Sequence, residues 1–92
     1  MPRGSPRLRT HDGRKNQLGK RLKQRRIELG YTQDTLNAKL ALATNGEWIP
    51  SLQEILHIES GGRTVTDLEI LALGTALSCS PEWLLTGNQP KI

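Results

Sequence analysis

The sequence predicts an all-α domain of five short helices. Its apolar residues are mostly Leu, Ile and Ala, and Phe is absent, a bias that favours helices over strands. Two capping boxes, Ser51-x-x-Glu54 and Thr66-x-x-Glu69, each mark the start of a helix. A chain of 92 residues is long enough for one small domain with a compact core.

The composition argues against several classes of protein. Cys79 is the only cysteine, so no intramolecular disulfide can form, and a reducing, cytoplasmic compartment is expected. No apolar run approaches the roughly 18 residues that a membrane span needs, and no signal-peptide core is present. Because neither a phosphate-binding loop nor a pair of histidines at metal-binding spacing is found, we expect no catalysis, no metal and no other cofactor.

Positive charge is concentrated near the N-terminus. Residues 1–26 contain ten Lys or Arg and one Asp, whereas residues 27–92 contain three Lys or Arg and eight acids. Residues 1–15 are rich in Pro and Gly and have no apolar period, so we predict a flexible basic arm. The domain is expected to occupy residues 16–88, followed by a tail at 89–92. Such a basic block either binds a polyanion or is simply solvated.

The first helix is predicted from about residue 16 to residue 29, where Gly30 ends it. Leu18 and Leu22 lie on its apolar face. Arg26 follows Leu22 by about one helical turn and therefore points to the same side. A cation on an apolar face needs a partner of opposite charge.

The second helix is predicted to begin after its N-cap, Thr32, and to bury Leu36 and Leu40. The stretch 44–50 then ends the helical pattern, because it contains an Asn-Gly turn and a proline. Trp48 within this stretch is expected to fill the small core, with a partner-binding role as the alternative.

The third helix places Ile55, Ile58 and Glu59 on one face, and Gly61-Gly62 end it. Glu59 and Arg26 both point inward in this arrangement. The simplest expectation is that they pair. Glu54, the other glutamate of this helix, belongs to the capping box and therefore has a structural role.

The fourth and fifth helices close the predicted domain. The apolar stripe of the fourth helix is predicted to comprise six residues: Leu68, Leu71, Ala72 and Ala76, widened by Leu73 and Leu77. Ser80 and Pro81 supply the N-cap and first residue of a short fifth helix, which Gly87 ends.

Three segments occur in an order that is typical of a known family. They are LGKRLKQRRIELGYTQDTL (18–36), SLQEILHIESGGR (51–63) and LEILALGTALSCSPEWLLTG (68–87). In this order they resemble the Xre/lambda-repressor-like helix-turn-helix family of bacterial and phage regulators. The connection before the third helix is longer than is common, and it resembles a subset of the family with a tryptophan at this place.

The resemblance implies a five-helix lambda-repressor-like DNA-binding domain whose third helix, about residues 51–59, enters the major groove. It implies a sequence-specific transcriptional regulator, most often a repressor, that binds a pseudo-palindromic double-stranded operator as a homodimer. Such a protein would lie in the cytoplasm at the nucleoid. Two alternatives remain open: an antitoxin that binds DNA and a small protein partner, and a protein-interaction module.

The resemblance also points to the residues that would read bases: Leu52, Gln53 and His57. The Gln53 amide can bond N6 and N7 of adenine together, and His57 can donate to guanine N7 or to phosphate. Leu52 can touch a thymine methyl group or pack against the preceding connection. The alternative for Gln53 and His57 is an exposed, solvated side chain that makes no contact with a base.

Phosphate contacts are implied at the start of the second helix and after the third. The residues concerned are Gln33, Arg63 and the backbone near Thr64. Basic residues of the first helix are further candidates, although an exposed charged helix face is usually only solvated: Lys20, Lys23 and Arg25.

Overall fold

The computed structural model describes residues 8–88 and 90–92, and all regular secondary structure within them is helical. The helices are α1 (Gly19–Glu28), α2 (Gln33–Ala43), α3 (Leu52–Ser60), α4 (Asp67–Ala76) and α5 (Pro81–Thr86). Helix α3 packs against α1 and α2, while α4 packs against α2 and α5. The predicted all-α fold with five helices is confirmed for the described residues. None of the helices described is long and apolar enough to span a bilayer.

Local sequence determines where four of the helices begin. The N-cap side chains each accept a hydrogen bond from a backbone N–H in the first turn: Thr32, Ser51, Thr66 and Ser80. Both predicted capping boxes are present, with their glutamates bonded back to the N-cap backbone. The predicted starts of α2 to α5 are therefore confirmed.

Helix α1 begins at Gly19, three residues later than predicted. The reason is Asn16, whose Oδ1 accepts a hydrogen bond of 2.8 Å from the Gly19 N–H. Its Nδ2 donates to the carbonyl oxygens of Ile58 (3.1 Å) and Arg63 (2.8 Å). Asn16 thus connects the start of α1 to the end of α3 and is not itself helical.

The core is made mainly of leucine and isoleucine from all five helices and the residue preceding α1. Nine of these side chains are at most 1% exposed: Leu18, Leu22, Leu36, Leu40, Ile55, Ile58, Leu73, Leu77 and Leu84. Trp48 is partly buried and packs against this cluster, as expected for a residue that fills a small core.

The predicted stripe of α4 is wrong at two positions. Leu68 and Leu71 are 75% and 57% exposed, whereas Ala72, Leu73 and Leu77 are buried. Helix α4 is apolar on nearly all sides, so periodicity does not select one face. The neighbouring helices α2 and α5 decide which side is covered.

Part of the predicted flexible arm is folded. The Thr10 N–H donates to the Arg14 carbonyl and the Gly13 N–H to the Thr10 carbonyl, both at 2.9 Å. The Lys15 N–H then donates to the Gly61 carbonyl at 2.7 Å. Residues 10–15 therefore form a turn that is hydrogen-bonded to the end of α3, while the flexibility of the arm stays a prediction. The remainder of the predicted arm, residues 1–7, lies outside the described residues.

The end of the chain is also in contact with the domain. The Lys91 carbonyl accepts a hydrogen bond of 2.7 Å from the Ser80 N–H. The Lys91 Nζ lies 2.9 Å from a Glu28 carboxylate oxygen and 4.9 Å from the centre of the Trp83 ring. The predicted tail thus contributes contacts across α1 and α5 at this residue.

Helices α1 and α3 approach each other most closely at Gly19. A Cβ atom at this position would overlap the carbonyl oxygen of Ile58 and lie 2.8 Å from that of Glu59. Both neighbours are backbone atoms, which cannot move aside as a flexible side chain can. The absence of a side chain at Gly19 is therefore required for the observed packing of α1 on α3.

Gly19→Ala should lower the free energy of unfolding by about 1–3 kcal/mol, because the added methyl group overpacks the contact between α1 and α3. In an ordinary exposed helix the same change would stabilise by about 0.5–1 kcal/mol. Gly62→Ala is the control, since its Cβ would come no closer than 3.4 Å to the Ser60 side chain and 3.8 Å to any backbone atom. Denaturant midpoints measure both variants. A Gly19→Ala variant as stable as the parent would contradict the close approach.

Candidate nucleic-acid interface

The predicted pair between Arg26 and Glu59 is present and largely buried. The Arg26 Nε lies 2.7 Å from Glu59 Oε2, and the two side chains are 11% and 5% exposed. The Arg26 Nη1 also donates to the Tyr31 carbonyl at 2.9 Å, and the Gln33 Nε2 donates to Glu59 Oε1 at 3.4 Å. The pair therefore joins α1, the turn after it, the start of α2 and the end of α3.

The outward side of α3 carries the residues that were predicted to read bases. Leu52 and Leu56 are 42% and 43% exposed, and Gln53 and His57 are exposed as well. We call these four residues the α3 ridge. It lies opposite the buried isoleucines of the same helix, so the hydrophobic contacts that hold α3 leave the ridge free.

A groove runs between the α3 ridge and α1. It contains three basic residues and one acid, and its lining also includes the exposed side chains of Ile27 and Leu56: Arg14, Lys20, Lys23, Gln24, Ile27, Leu56, Glu59 and Ser60. We call it the α1 groove. Two of the predicted phosphate-binding residues, Lys20 and Lys23, thus lie beside the ridge.

A second depression lies near the end of α3. It is lined by Arg9, Lys15, His57, Arg63 and Thr64, together with a glycine of the following loop. We call it the α3-end pocket. The structure brings the predicted residues His57, Arg63 and Thr64 together here and adds Arg9 and Lys15.

Sequence analysis missed Arg9 and Lys15 because both were assigned to the flexible arm. One signal was present: Asp12-Gly13 is a dipeptide typical of tight turns, and Gly13 adopts a φ of 87°. This turn directs the chain back onto α3. It therefore determines where the two cations lie.

Arg63 is engaged by two carboxylates. Its guanidinium makes two hydrogen bonds of 2.9 Å to Glu69, and it lies 3.6 Å from Glu54. The hydrogen bonds from Arg63 lower the pKa of the Glu69 carboxyl, and Glu69 in turn raises the pKa of Arg63. Because both glutamates belong to capping boxes, Arg63 links the starts of α3 and α4. It would have to leave these partners to bind a phosphate through its side chain.

Two other predicted phosphate-binding residues also have internal partners. Gln33 is partly buried and bonded to Glu59. Arg25 is buried, and its guanidinium donates to the carbonyls of Leu77 and Ser78, both at 3.0 Å. Arg25 therefore binds the carbonyls after the end of α4, which removes it from the candidate phosphate contacts.

The chemistry of the remaining polar groups is limited. Among residues 8–88 and 90–92, no three His, Cys, Asp or Glu side chains are grouped so that they could hold a metal ion. Cys79 is buried, and burial raises the pKa of its thiol. The α3 ridge, the α1 groove and the α3-end pocket contain exposed polar and basic groups that could recognise a ligand.

No protein-family model, curated protein or solved structure matches this chain. The likeness to helix-turn-helix regulators accordingly rests on the sequence motifs and on the order of the helices.

The contacts of Glu69 lead to a prediction about pH. Its pKa is lowered in the folded protein, so its stabilising contribution is present above the ordinary value of 4.5 and is lost as the pH falls. Glu69→Gln should lower the free energy of unfolding at pH 7 by about 0.5–1 kcal/mol, since it removes the charge of the ion pair with Arg63 while Gln can still accept from the Thr66 N–H.

Urea unfolding between pH 3 and pH 7 measures this effect. The decline of stability towards acid pH should be shallower in Glu69→Gln but should persist in part, since Asp12 and Glu28 also have lowered pKa values. Glu82→Gln, at an exposed position, is the matched control. An unchanged decline in Glu69→Gln would show that the pair with Arg63 does not form in solution.

Proposed function

We propose that this chain is a sequence-specific, double-stranded DNA-binding protein with a lambda-repressor-like helix-turn-helix fold, acting as a transcriptional regulator. The observation that carries the proposal is the arrangement around α3. The α3 ridge is exposed and carries the amide of Gln53 and the imidazole of His57. The α1 groove and the α3-end pocket adjoin it, and both contain basic side chains.

The dimensions of DNA suit this arrangement. A helix with its side chains is about 10–12 Å across, and the major groove is about 12 Å wide. When such a helix faces the base edges, the phosphates of the two strands lie on its two sides. Cations beside the α3 ridge in the α1 groove, and beyond its end in the α3-end pocket, therefore suit the charge of the duplex.

The flanking cations are available for an external anion. No carboxylate lies within 4.0 Å of Arg9, Lys15, Lys20 or Lys23 in the described part of the chain. All nine acids of the sequence lie in that part, because residues 1–7 and 89 include no Asp or Glu. Unpaired cations around an exposed helix produce the positive potential that draws a protein to DNA.

A protein partner would bind a different surface. Leu68 and Leu71 of α4 are exposed, and Ile92 lies with Leu71 in a shallow apolar depression. This surface suits a second copy on a pseudo-palindromic operator, with half-sites about 34 Å apart. It also suits the small partner of an antitoxin, so isolation of the native complex would distinguish the two.

Gln53→Ala tests the assignment of the α3 ridge. After an operator is selected from random duplexes, this variant should lose about 1–3 kcal/mol of operator affinity and relax its preference at one base pair per half-site. Affinity for random DNA should hardly change, because phosphate contacts dominate there. The free energy of unfolding should stay within about 0.5 kcal/mol of the parent.

Lys23→Ala is the comparison variant, since Lys23 lies in the α1 groove and not on the ridge. It should weaken operator and random DNA by similar factors. Full retention of base preference by Gln53→Ala would end its assignment as a base reader. A parent protein that selects no sequence and binds no duplex would refute the proposed function itself.

A further inference from the structure

A cleft lies between the start of α1 and the end of α5. It has a volume of about 700 Å³ and is bounded by the turn at residues 10–14, the first half of α1 and the end of α5, with Lys20, Arg21 and Leu85 in its lining. We call it the α5 cleft. Among the described residues, none of α2, of α3 or of the loop after α3 lines it, and it shares no residue with the α3-end pocket. Its volume lies within the range of about 300–1,000 Å³ that is typical of small-molecule sites.

The lining of the α5 cleft carries more positive than negative charge. It contains three cations, Arg14, Lys20 and Arg21, and Asp12 is the one acid among the described residues that line it. Asp12 already accepts a hydrogen bond from the Thr10 hydroxyl and lies 3.5 Å from the Arg14 Nε. In the part of the chain that the structure describes, no carboxylate lies within 4.0 Å of Lys20 or Arg21. Three positive charges less one negative charge therefore leave the cleft with two positive charges that the protein does not balance.

Arg21 is held in place by backbone carbonyls and not by an acid. Its Nε donates to the Leu84 carbonyl and its Nη2 to the Leu85 carbonyl, both at 2.7 Å. The Gln17 amide also donates to the Leu85 carbonyl, at 2.7 Å. Unpaired carbonyls at the end of a helix normally repel an anion. Because donors occupy these two carbonyls, this repulsion is reduced at the end of α5, while the positive charge of Arg21 is retained.

These features suit a small organic anion with two negative charges. A phosphate monoester or a dicarboxylate would balance the two excess positive charges of the cleft. Leu85 offers apolar surface to the remainder of such a molecule, and the exposed His11 imidazole can donate or accept a hydrogen bond. Hydrogen bonds between a charged donor and a charged acceptor are also stronger than those between neutral groups.

Two cations of the α5 cleft also line the α1 groove. Arg14 and Lys20 belong to both surfaces, whereas Lys23 belongs to the groove alone. An anion in the cleft would offset part of the charge of Arg14 and Lys20, so the groove would attract DNA phosphates less strongly. By linkage, the anion and the duplex would each weaken the binding of the other by the same factor.

We propose that the α5 cleft is an effector site for a small organic dianion, a phosphate monoester or a dicarboxylate, and that its occupation weakens the binding of DNA. Lys20 and Arg21 are the charged ligands, and Leu85 packs against the apolar part of the effector. The effect on DNA rests on the proposed function, whereas the binding of the dianion in the cleft does not.

Titration with phenyl phosphate and with succinate, at constant pH and ionic strength, tests the site without DNA. At least one of these dianions should produce saturable changes in the amide chemical shifts of His11, Gln17 and Thr86, and the one that binds identifies the class of anion. Benzyl alcohol, which is apolar and uncharged, should produce none of these changes. If neither dianion causes a saturable change at these residues, the inference is wrong.

Lys20→Gln and Lys23→Gln are a matched pair of variants, because both lysines are exposed on α1 and only Lys20 lines the cleft. Lys20→Gln should weaken binding of the dianion by about two- to five-fold, the factor that an exposed ion pair contributes. Lys23→Gln should keep the affinity of the parent. Equal affinities of the two variants for the dianion would overturn the assignment to the cleft.

The effect on DNA is measured as the affinity for a duplex with and without a saturating concentration of the dianion that binds, again at constant ionic strength. The affinity of the parent should fall by about five-fold or more, and Lys23→Gln should show the same fall because its cleft is intact. A dianion that occupies the cleft without changing duplex affinity would refute the effector role. A parent that binds no duplex would refute the proposed function, and the chemical-shift titration would still decide whether the cleft binds the anion.

Discussion

The ion pair of Arg26 and Glu59 determines how three of the five helices are arranged. Removing two charges from water is costly, and the cost is offset only when the remaining donors and acceptors are satisfied. Here Glu59 accepts from both Arg26 and Gln33, while Arg26 also donates to the Tyr31 carbonyl. These hydrogen bonds require α1, the following turn and α2 to meet α3 in one geometry. Loss of either charge would leave the other buried without an opposite charge.

Both glutamates of α3 make internal contacts, and this explains how a helix with two acids can lie within a basic surface. At its start Glu54 closes the capping box and approaches Arg63, and towards its end Glu59 pairs with Arg26. At the end of α3, the Asn16 amide donates to the Ile58 carbonyl and the Lys15 N–H donates to the Gly61 carbonyl. Both glutamates are thus engaged in internal contacts. The α3 ridge is fixed in orientation before any ligand binds, which reduces the entropy lost on binding.

Features that depend on local sequence were predictable, and features that depend on distant backbone were not. The capping boxes follow from residues three apart, and helical periodicity was enough to place Arg26 and Glu59 on inward faces. By contrast, nothing local indicates that Gly19 lies against the α3 carbonyls, or that Arg25 is buried against the residues after α4. The burial of α4 was mispredicted at Leu68 and Leu71, because the orientation of a helix that is apolar on nearly all sides is decided by its neighbours.

The fold brings basic residues from the N-terminal part of the sequence next to α3. Of the ten Lys and Arg of residues 1–26, five precede α1 in residues 1–18 and five belong to α1. Because α1 packs along α3 and the N-terminal turn is bonded to the end of α3, this single block of sequence supplies basic residues to both the α1 groove and the α3-end pocket. The later part of the chain has an excess of acids, eight against three basic residues. On the proposed function, a duplex would be attracted to the surface that the basic residues before α1 and in α1 form beside α3, and repelled by surfaces rich in acids.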